Sequence, residues 1–235
     1  MVAAGLDHGP LTPCVRRIHW DPAFRIVPTR HPTIYLFDRV ADADDFDALY
    51  ALEAMTNDRI RHEIGQIDLV PPAERVFGPG SGPIMAAFTY LNPHGGRFSD
   101  GSFGVFYAAA DRGTAIAETR FHQGRFLAAT REATITLTMR LYRMRIDARL
   151  HDLRSGDGID AAIFDPDSYA ASQALGIRLR QGGSAGVVYP SVRHSGGRCV
   201  GLFKPAGARD CVQAANLLYV WDGRRFTGVF EEIET

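Results

Sequence analysis

Apolar residues recur along this chain mostly with a period of two, and each such run predicts a strand. FRIV, Phe24 to Val27, precedes Pro28 and reads as a short strand. REATITLTMRLYRMRI reads as a long one, with Ile135, Leu137, Met139 and Leu141 on one face. The apolar positions then move to Tyr142, Met144 and Ile146. Because strand side chains alternate, that change of parity predicts a bulge or twist around Arg140 to Tyr142. AGVVYPSV predicts a buried strand ending at Pro190, RCVGLFKP another, and LLYVWDGRRFTGVFEEI a closing hairpin with Asp222 and Gly223 in its turn.

Helical spacing interrupts the strands in a few places. ADADDFDALYALEAMTNDRIRHEIG opens with an acidic turn, places Phe46, Leu49, Tyr50, Leu52 and Ala54 on a buried face, and offers Gly65 as a stop. DPDSYAASQALGIRLRQGG offers Asp165 or Asp167 as a cap, Ala171, Leu175 and Leu179 as the apolar face, and Gly182 just past the end. Between the two lies GGRFSDGSFGVFYAAADRGTAIAETRFH, residues 95 to 122. It predicts a glycine-bracketed turn carrying Arg97, a short strand with Tyr107, a capping aspartate, and a helix carrying Glu118.

Short strands with few helices, and no regular strand–helix–strand rhythm, predict an α+β fold with a curved, largely antiparallel sheet and flanking helices. A dinucleotide-binding Gly-x-Gly-x-x-Gly after a strand is absent, which argues against a Rossmann dehydrogenase. Residues 1–17, rich in Gly, Pro and small residues, predict a loose arm. Residues 18–235 then form one domain with a helical insertion around 42–90.

Composition narrows the function. At 235 residues and 46% hydrophobic, the chain can bury a core without staples. Lys plus Arg number 26 against 27 Asp plus Glu, for a net charge of −1, so nucleic acid is a disfavoured partner. Cys14, Cys199 and Cys211 show no CxxC spacing, which argues against a disulfide framework or a zinc site. No run of about 18 apolar residues and no leader-like apolar centre occurs, so a cytoplasmic protein with no membrane contact is the expectation.

Arg97, Tyr107 and Glu118 stand 10 and 11 residues apart, separated by one turn, one strand and one helix entry. An arginine can fork onto phosphate, an aromatic ring can stack on a flat ligand, and a carboxylate can face a developing positive charge. Each also has a plain structural reading: a surface loop arginine, a core tyrosine, and a helix glutamate pairing with His122 at i+4.

In order, these blocks resemble the RES family, bacterial toxins that consume NAD and share a fold related to ADP-ribosyltransferases. Gly95, Gly96 and Arg97 match its glycine-glycine-arginine turn, Val105 to Ala109 its tyrosine strand, and Ala115 to His122 its glutamate helix. VVYPSVRHSGGRCVGLFKP matches its second block and places the family serine at Ser191, which otherwise reads as a turn serine. The FRI triplet resembles the family's first arginine-bearing strand and places Arg25 beside the phosphates, with Arg30 and Arg39 as alternatives. The insertion separates Arg25 from Arg97 by more chain than compact RES proteins use.

The resemblance implies a split sheet with NAD in its cleft. Glu118 would stabilise the oxocarbenium-like ribose, Tyr107 wall the nicotinamide, Arg97 and Arg25 hold the pyrophosphate, and Ser191 bond the nicotinamide amide or ribose. It implies NAD as co-substrate, no metal, and a cognate antitoxin with an Xre-like portion as partner. ADP-ribose would pass to a protein, to water or to phosphate. Transfer to a protein is slightly favoured because the insertion could dock an acceptor. A toxin ribonuclease built on residues such as His122 and His194 is the alternative from another class.

Overall fold

The computed structural model describes residues 13–31, 36–40, 42–56, 65–154 and 159–233. Its frame is a sheet of β1 (Val15–Pro28), β2 (Phe106–Ala109), β3 (Thr134–Asp152), β4 (Gly186–Pro190), β5 (Arg198–Leu202), β6 (Ala208–Asp222) and β7 (Phe226–Glu231). The spatial order is β1-β2-β5-β4-β3-β6-β7, and β1 also pairs with β3. The first five strands therefore close into a ring, with β6 and β7 running off its side.

Closure depends on the length of β3. Residues 134–146 pair with β6, and beyond them His151 and Asp152 pair in parallel with Val187 and Val188 of β4. That is the only parallel joint among the described strands. At the other seam, β1 meets β2 through the single pair Phe24 and Ala109. The α+β, largely antiparallel expectation holds.

Both faces of the sheet are covered. On one, a core around Phe37, Phe46, Met85, Phe106, Tyr142 and Ile146 is roofed by α1 (Ala43–Thr56), α2 (Gly82–Thr89) and short 3-10 turns. On the other, Phe98, Leu141, Leu175, Tyr189, Phe203 and Tyr219 pack under α3 (Arg112–Ala129) and α4 (Ala170–Gln181).

The two cores explain the parity change in β3. Against β1 the register runs unbroken from Met139 to Met144, so Leu141 and Tyr142 point to opposite faces as consecutive strand residues must. What changes is which face is buried: Met139 and Leu141 belong to the second core, Tyr142, Met144 and Ile146 to the first. Against β6 the register slips between Leu141 and Tyr142, and that is the expected bulge.

Several local expectations move. The FRIV strand is the end of a longer β1, and Val15, Arg16 and Arg17 of the expected arm are paired with His151, Leu150 and Arg149. Arg17 secures that end by forking onto Asp147 at 2.9 Å through both Nε and Nη2. Residues 1–12 lie outside the described residues.

In α1, Phe46 is buried and stacks on Phe37 at 5.0 Å, while Leu49 and Tyr50 are partly buried. Leu52 and Ala54 lie outside the described side chains. The helix is described to Thr56, and the residues between it and Gly65, 57–64, lie outside the described residues. Neither Asp165 nor Asp167 caps α4, which follows Tyr169 with no side-chain cap. The Asp165 carboxylate accepts instead from the amides of Asp167 and Ser168, closing the turn that precedes the helix. No described helix is long and apolar enough to cross a membrane.

Candidate active site

The glycine-glycine-arginine turn is built by short contacts. Gly95 sits at φ +69°, and a Cβ there would meet the Ser99 carbonyl oxygen at 2.3 Å, so both conformation and space demand glycine. The Gly96 amide closes the turn onto the Ser99 carbonyl at 2.7 Å. Helix α4 seats it from outside: Gln173 Nε2 donates to the carbonyls of Gly96 at 3.0 Å and Ser99 at 3.3 Å. Gly176 lets α4 approach so closely that a Cβ would meet the Phe98 carbonyl oxygen at 2.0 Å.

That seat turns Arg97 inward, with only 7% of its surface exposed. Nη1 donates to the carbonyls of Ile163 at 3.1 Å and Asp165 at 3.0 Å, and the guanidinium lies 4.6 Å from the Tyr169 ring centroid. One nitrogen is thus spent on positioning. Nε and Nη2 have no partner among the described residues, which leaves one edge of the fork for an anion.

Tyr107 follows on β2, opposite Gly201. Its hydroxyl accepts from the Phe98 amide at 2.9 Å, and burial pushes its pKa up. The ring is therefore pinned to the turn that carries Arg97.

Glu118 stands in the second turn of α3. Asp111 caps that helix, its Oδ1 accepting from the Thr114 amide at 2.8 Å. Burial pushes the Asp111 carboxyl up, but its bonds from Thr114 outweigh this and hold it below its usual range. The Thr114 hydroxyl also meets His194 Nδ1 at 2.8 Å, tying the start of α3 to the loop after β4. In that loop Ser191 Oγ accepts from the amides of Arg193 at 3.1 Å and His194 at 3.0 Å. It donates to Glu118 Oε1 at 2.6 Å.

Cys199 and Tyr189 lie behind the carboxylate. The Cys199 thiol is 3.9 Å from Glu118 Oε1, and burial, then the Glu118 charge, pushes its pKa up. Burial does the same to Tyr189, which packs edge-on against Phe98 at 4.9 Å. Both remain protonated beside the glutamate. One turn along α3, His122 is exposed by area yet crowded enough that desolvation lowers its pKa. Glu118 opposes that shift, while Arg193, Arg97 and Arg125 add to it.

Arg97, Tyr107, Glu118 and Ser191 thus come together: the Arg97 charge acts on Tyr107, Tyr189 and His122, and Ser191 touches Glu118. Arg25, expected beside the phosphates, meets this group at Tyr107 but lies on the other face of the sheet. On β1 its neighbours Phe24 and Ile26 face the second core, so Arg25 points to the first. It lies across from Tyr142, 4.6 Å from the Phe106 ring centroid, with Nη1 donating to the Tyr107 carbonyl at 2.8 Å. Burial lowers its pKa, and burial raises that of the nearby Cys211 to about 12 even against the opposing Arg25 charge. Arg30 lies 5.0 Å from the Phe126 ring, and Arg39 ends a turn whose Phe37 belongs to the first core.

Sequence reading missed the partners that fix the site: Gln173, Gly176 and Tyr169 from the α4 region, and Cys199 and Tyr189 behind the carboxylate. The glycine inside ALGIRLRQ was the available clue, since a glycine within a helical run costs stability and needs a packing reason. Among the described residues no group of three or more His, Cys, Asp or Glu side chains is placed to hold a metal.

A closed, largely antiparallel α+β ring with an arginine turn, a pinned tyrosine and a serine-held glutamate defines the class. Residues 72–222 match the RES domain, and the chain belongs to the RES-domain family. The match takes in Arg97, Tyr107, Glu118 and Ser191 and leaves Arg25 outside. The uncharacterized protein y4oC of Sinorhizobium fredii (strain NBRC 101917 / NGR234) is 29% identical over 214 residues, 88% of this chain and 86% of that protein. Among solved structures, a chain of the M. tuberculosis MbcT–MbcA toxin–antitoxin complex aligns with a TM-score of 0.46 at 13% identity, over 92% of this chain and 86% of that one.

Proposed function

We propose that this protein cleaves the nicotinamide–ribose bond of NAD, and that it is the toxin of a bacterial toxin–antitoxin pair with a cognate antitoxin as its partner. Membership of the RES-domain family supports both parts. The observation that carries the chemistry is the half-occupied carboxylate: Ser191 fixes Glu118 through Oε1, and Oε2 has no partner among the described residues.

Nicotinamide leaves NAD as a neutral molecule, taking the bonding electrons onto its ring nitrogen. The charge that must be stabilised appears on the ribose. A fixed carboxylate facing that sugar stabilises the oxocarbenium-like state and accepts a hydrogen bond from a ribose hydroxyl through Oε2; preorganised groups of this kind contribute about 3–4 kcal/mol. Nε and Nη2 of Arg97 would take the pyrophosphate, and Tyr107 would wall the nicotinamide.

The described part of the 42–90 segment packs on the first core, across the sheet from Glu118. Among its described residues the segment gives no second surface beside the carboxylate that would favour a protein acceptor over water or phosphate. The nucleophile that captures the ribose, giving up its proton, is therefore left to experiment. Purified protein is incubated with NAD, with and without phosphate and with a cell lysate, and products are separated by chromatography and mass spectrometry. Free nicotinamide from wild type but not from Glu118→Gln supports the proposal, and the mass of the ADP-ribosyl product names the acceptor. NAD left intact under every condition overturns it.

A further inference from the structure

Outside the Glu118 cluster, a groove of about 700 Å³ runs between α3 and the β6–β7 hairpin. Its floor is apolar, made by Phe121, Gly124 and Ala128 on the helix and by the edges of Trp221 and Phe226 on the hairpin. Its rim carries Arg120 and Arg125 from the helix and Arg224 and Arg225 from the hairpin turn. All four arginines are exposed, and among the described residues none is paired with a carboxylate.

The nearby acids are engaged elsewhere. Asp222 accepts from the amides of Arg224 and Arg225, both at 2.8 Å, and so faces into its own turn. Glu231 is paired with Arg112 at 2.6 Å. In a chain of net charge −1, four arginines around one groove are a local excess, with only the Asp222 charge acting on Arg225 to offset it among the described residues. The small floor is also not forced by packing. A Cβ at Gly124 would meet Phe226 and Trp221 at 3.7 Å, an ordinary contact, although glycine within a helix costs roughly 0.5–1 kcal/mol relative to alanine. The fold accepts that cost and keeps the groove open.

We propose that the groove binds an acidic, amphipathic segment of a partner protein, with apolar side chains on the floor and carboxylates forked by the arginines. Nucleic acid fits less well. Single strands need several exposed rings on which successive bases can stack; here Trp221 and Phe226 are 2% and 6% exposed and packed on each other at 5.2 Å, and the groove's third ring, Phe121, is half-buried with the Arg193 guanidinium over it. Arg120 is already positioned, with Nη2 donating to the Phe226 carbonyl at 2.9 Å. The groove requires no NAD chemistry.

The test is fluorescence anisotropy on the full chain with three labelled probes: a peptide alternating Glu and Leu, the same peptide with Gln for Glu, and an oligouridine strand. The acidic peptide should bind, more weakly as salt rises, and the Gln peptide should not. Two variants, each checked for an unchanged melting temperature, separate charge from shape. Arg224→Glu combined with Arg225→Glu should weaken binding about tenfold or more by replacing attraction with repulsion. Ala128→Phe should block the floor without changing charge. Both should cleave NAD as wild type does, so a failed peptide test leaves the NAD reading standing. No peptide binding, binding indifferent to both variants, or oligouridine binding tighter with the same sensitivities would overturn the proposal.

Discussion

Ser191 donates its hydroxyl to Glu118 Oε1 at 2.6 Å across 73 residues of sequence. The serine is itself held by two backbone amides, so the carboxylate is anchored to a loop and not only to its helix. Charge and geometry at Glu118 can therefore be separated. Glu118→Gln keeps an oxygen for Ser191 to bond but removes the charge. Nicotinamide release should fall about 10²–10³-fold, the loss usual for a preorganised electrostatic group. Calorimetry should show NAD affinity little changed, whereas an equal loss of both would mean that Glu118 serves binding.

Ser191→Ala keeps the charge and removes the anchor. The amides of Arg193 and His194 lose an acceptor, and Glu118 gains rotational freedom. Turnover should drop by about 10²-fold through misplacement, and stability by about 1–3 kcal/mol through the lost bonds. Ser191→Thr, which retains the hydroxyl, should restore much of the turnover. A turnover unchanged in Ser191→Ala would reduce the 2.6 Å contact to a turn detail.

Gly176 tests whether α4 seats the arginine turn. Its added Cβ would fall 2.0 Å from the Phe98 carbonyl oxygen, a backbone atom that cannot swing aside. Gly176→Ala should force the helix and turn apart, at about 1–3 kcal/mol of overpacking. Because Arg97 is next to Phe98, NAD affinity should weaken with the melting temperature. An alanine variant as stable as wild type would show that the helix yields freely.

Patterning along single elements was readable because it reports local physics. The switch from Leu141 to Tyr142 was visible as a change of parity, and Asp111, Gly182 and Asp222 mark element ends by their own backbone chemistry. The blocks around Arg97, Tyr107, Glu118 and Ser191 were readable as a set in order. What the pattern did not hold was which face each strand residue meets. Arg25 carries the same charge on either side of β1, and only the second core under Phe24 and Ile26 decides that it points away. Gln173 and Tyr169 were silent because their role is made by an approach between distant segments.

His122 should give the protein an acid-side instability. Desolvation lowers its pKa, with Arg193, Arg97 and Arg125 acting in the same direction and Glu118 against. The unfolded chain takes up the proton near 6.5 while the folded protein resists, so stability present above that pH is lost as the pH falls through the folded pKa. Urea unfolding of His122→Asn should show a flatter slope below pH 6.5 than wild type. A residual slope is expected from His31, whose pKa is lowered by burial and by Arg30, Arg140 and Arg25. Identical slopes would mean that His122 titrates as freely in the folded protein as in the unfolded chain.

Arg25→Met and Arg97→Met should both lose stability but differ in their effect on NAD affinity. Arg25 is placed across the sheet from Glu118 and spends Nη1 on the Tyr107 carbonyl, while its guanidinium packs on Phe106. Arg25→Met should therefore lower stability by about 1–3 kcal/mol, the range for a lost charged hydrogen bond, and leave NAD affinity near wild type. Arg97→Met loses the bonds to the carbonyls of Ile163 and Asp165, so stability should also fall. It further loses the unpartnered edge of the fork, so NAD affinity should fall about tenfold or more, as expected for a charge-assisted pair. Thermal melts and NAD titrations on the two variants separate these effects. An Arg25→Met protein that folds well but no longer binds NAD would return Arg25 to the phosphate site and require the seam between β1 and β2 to open toward the ligand.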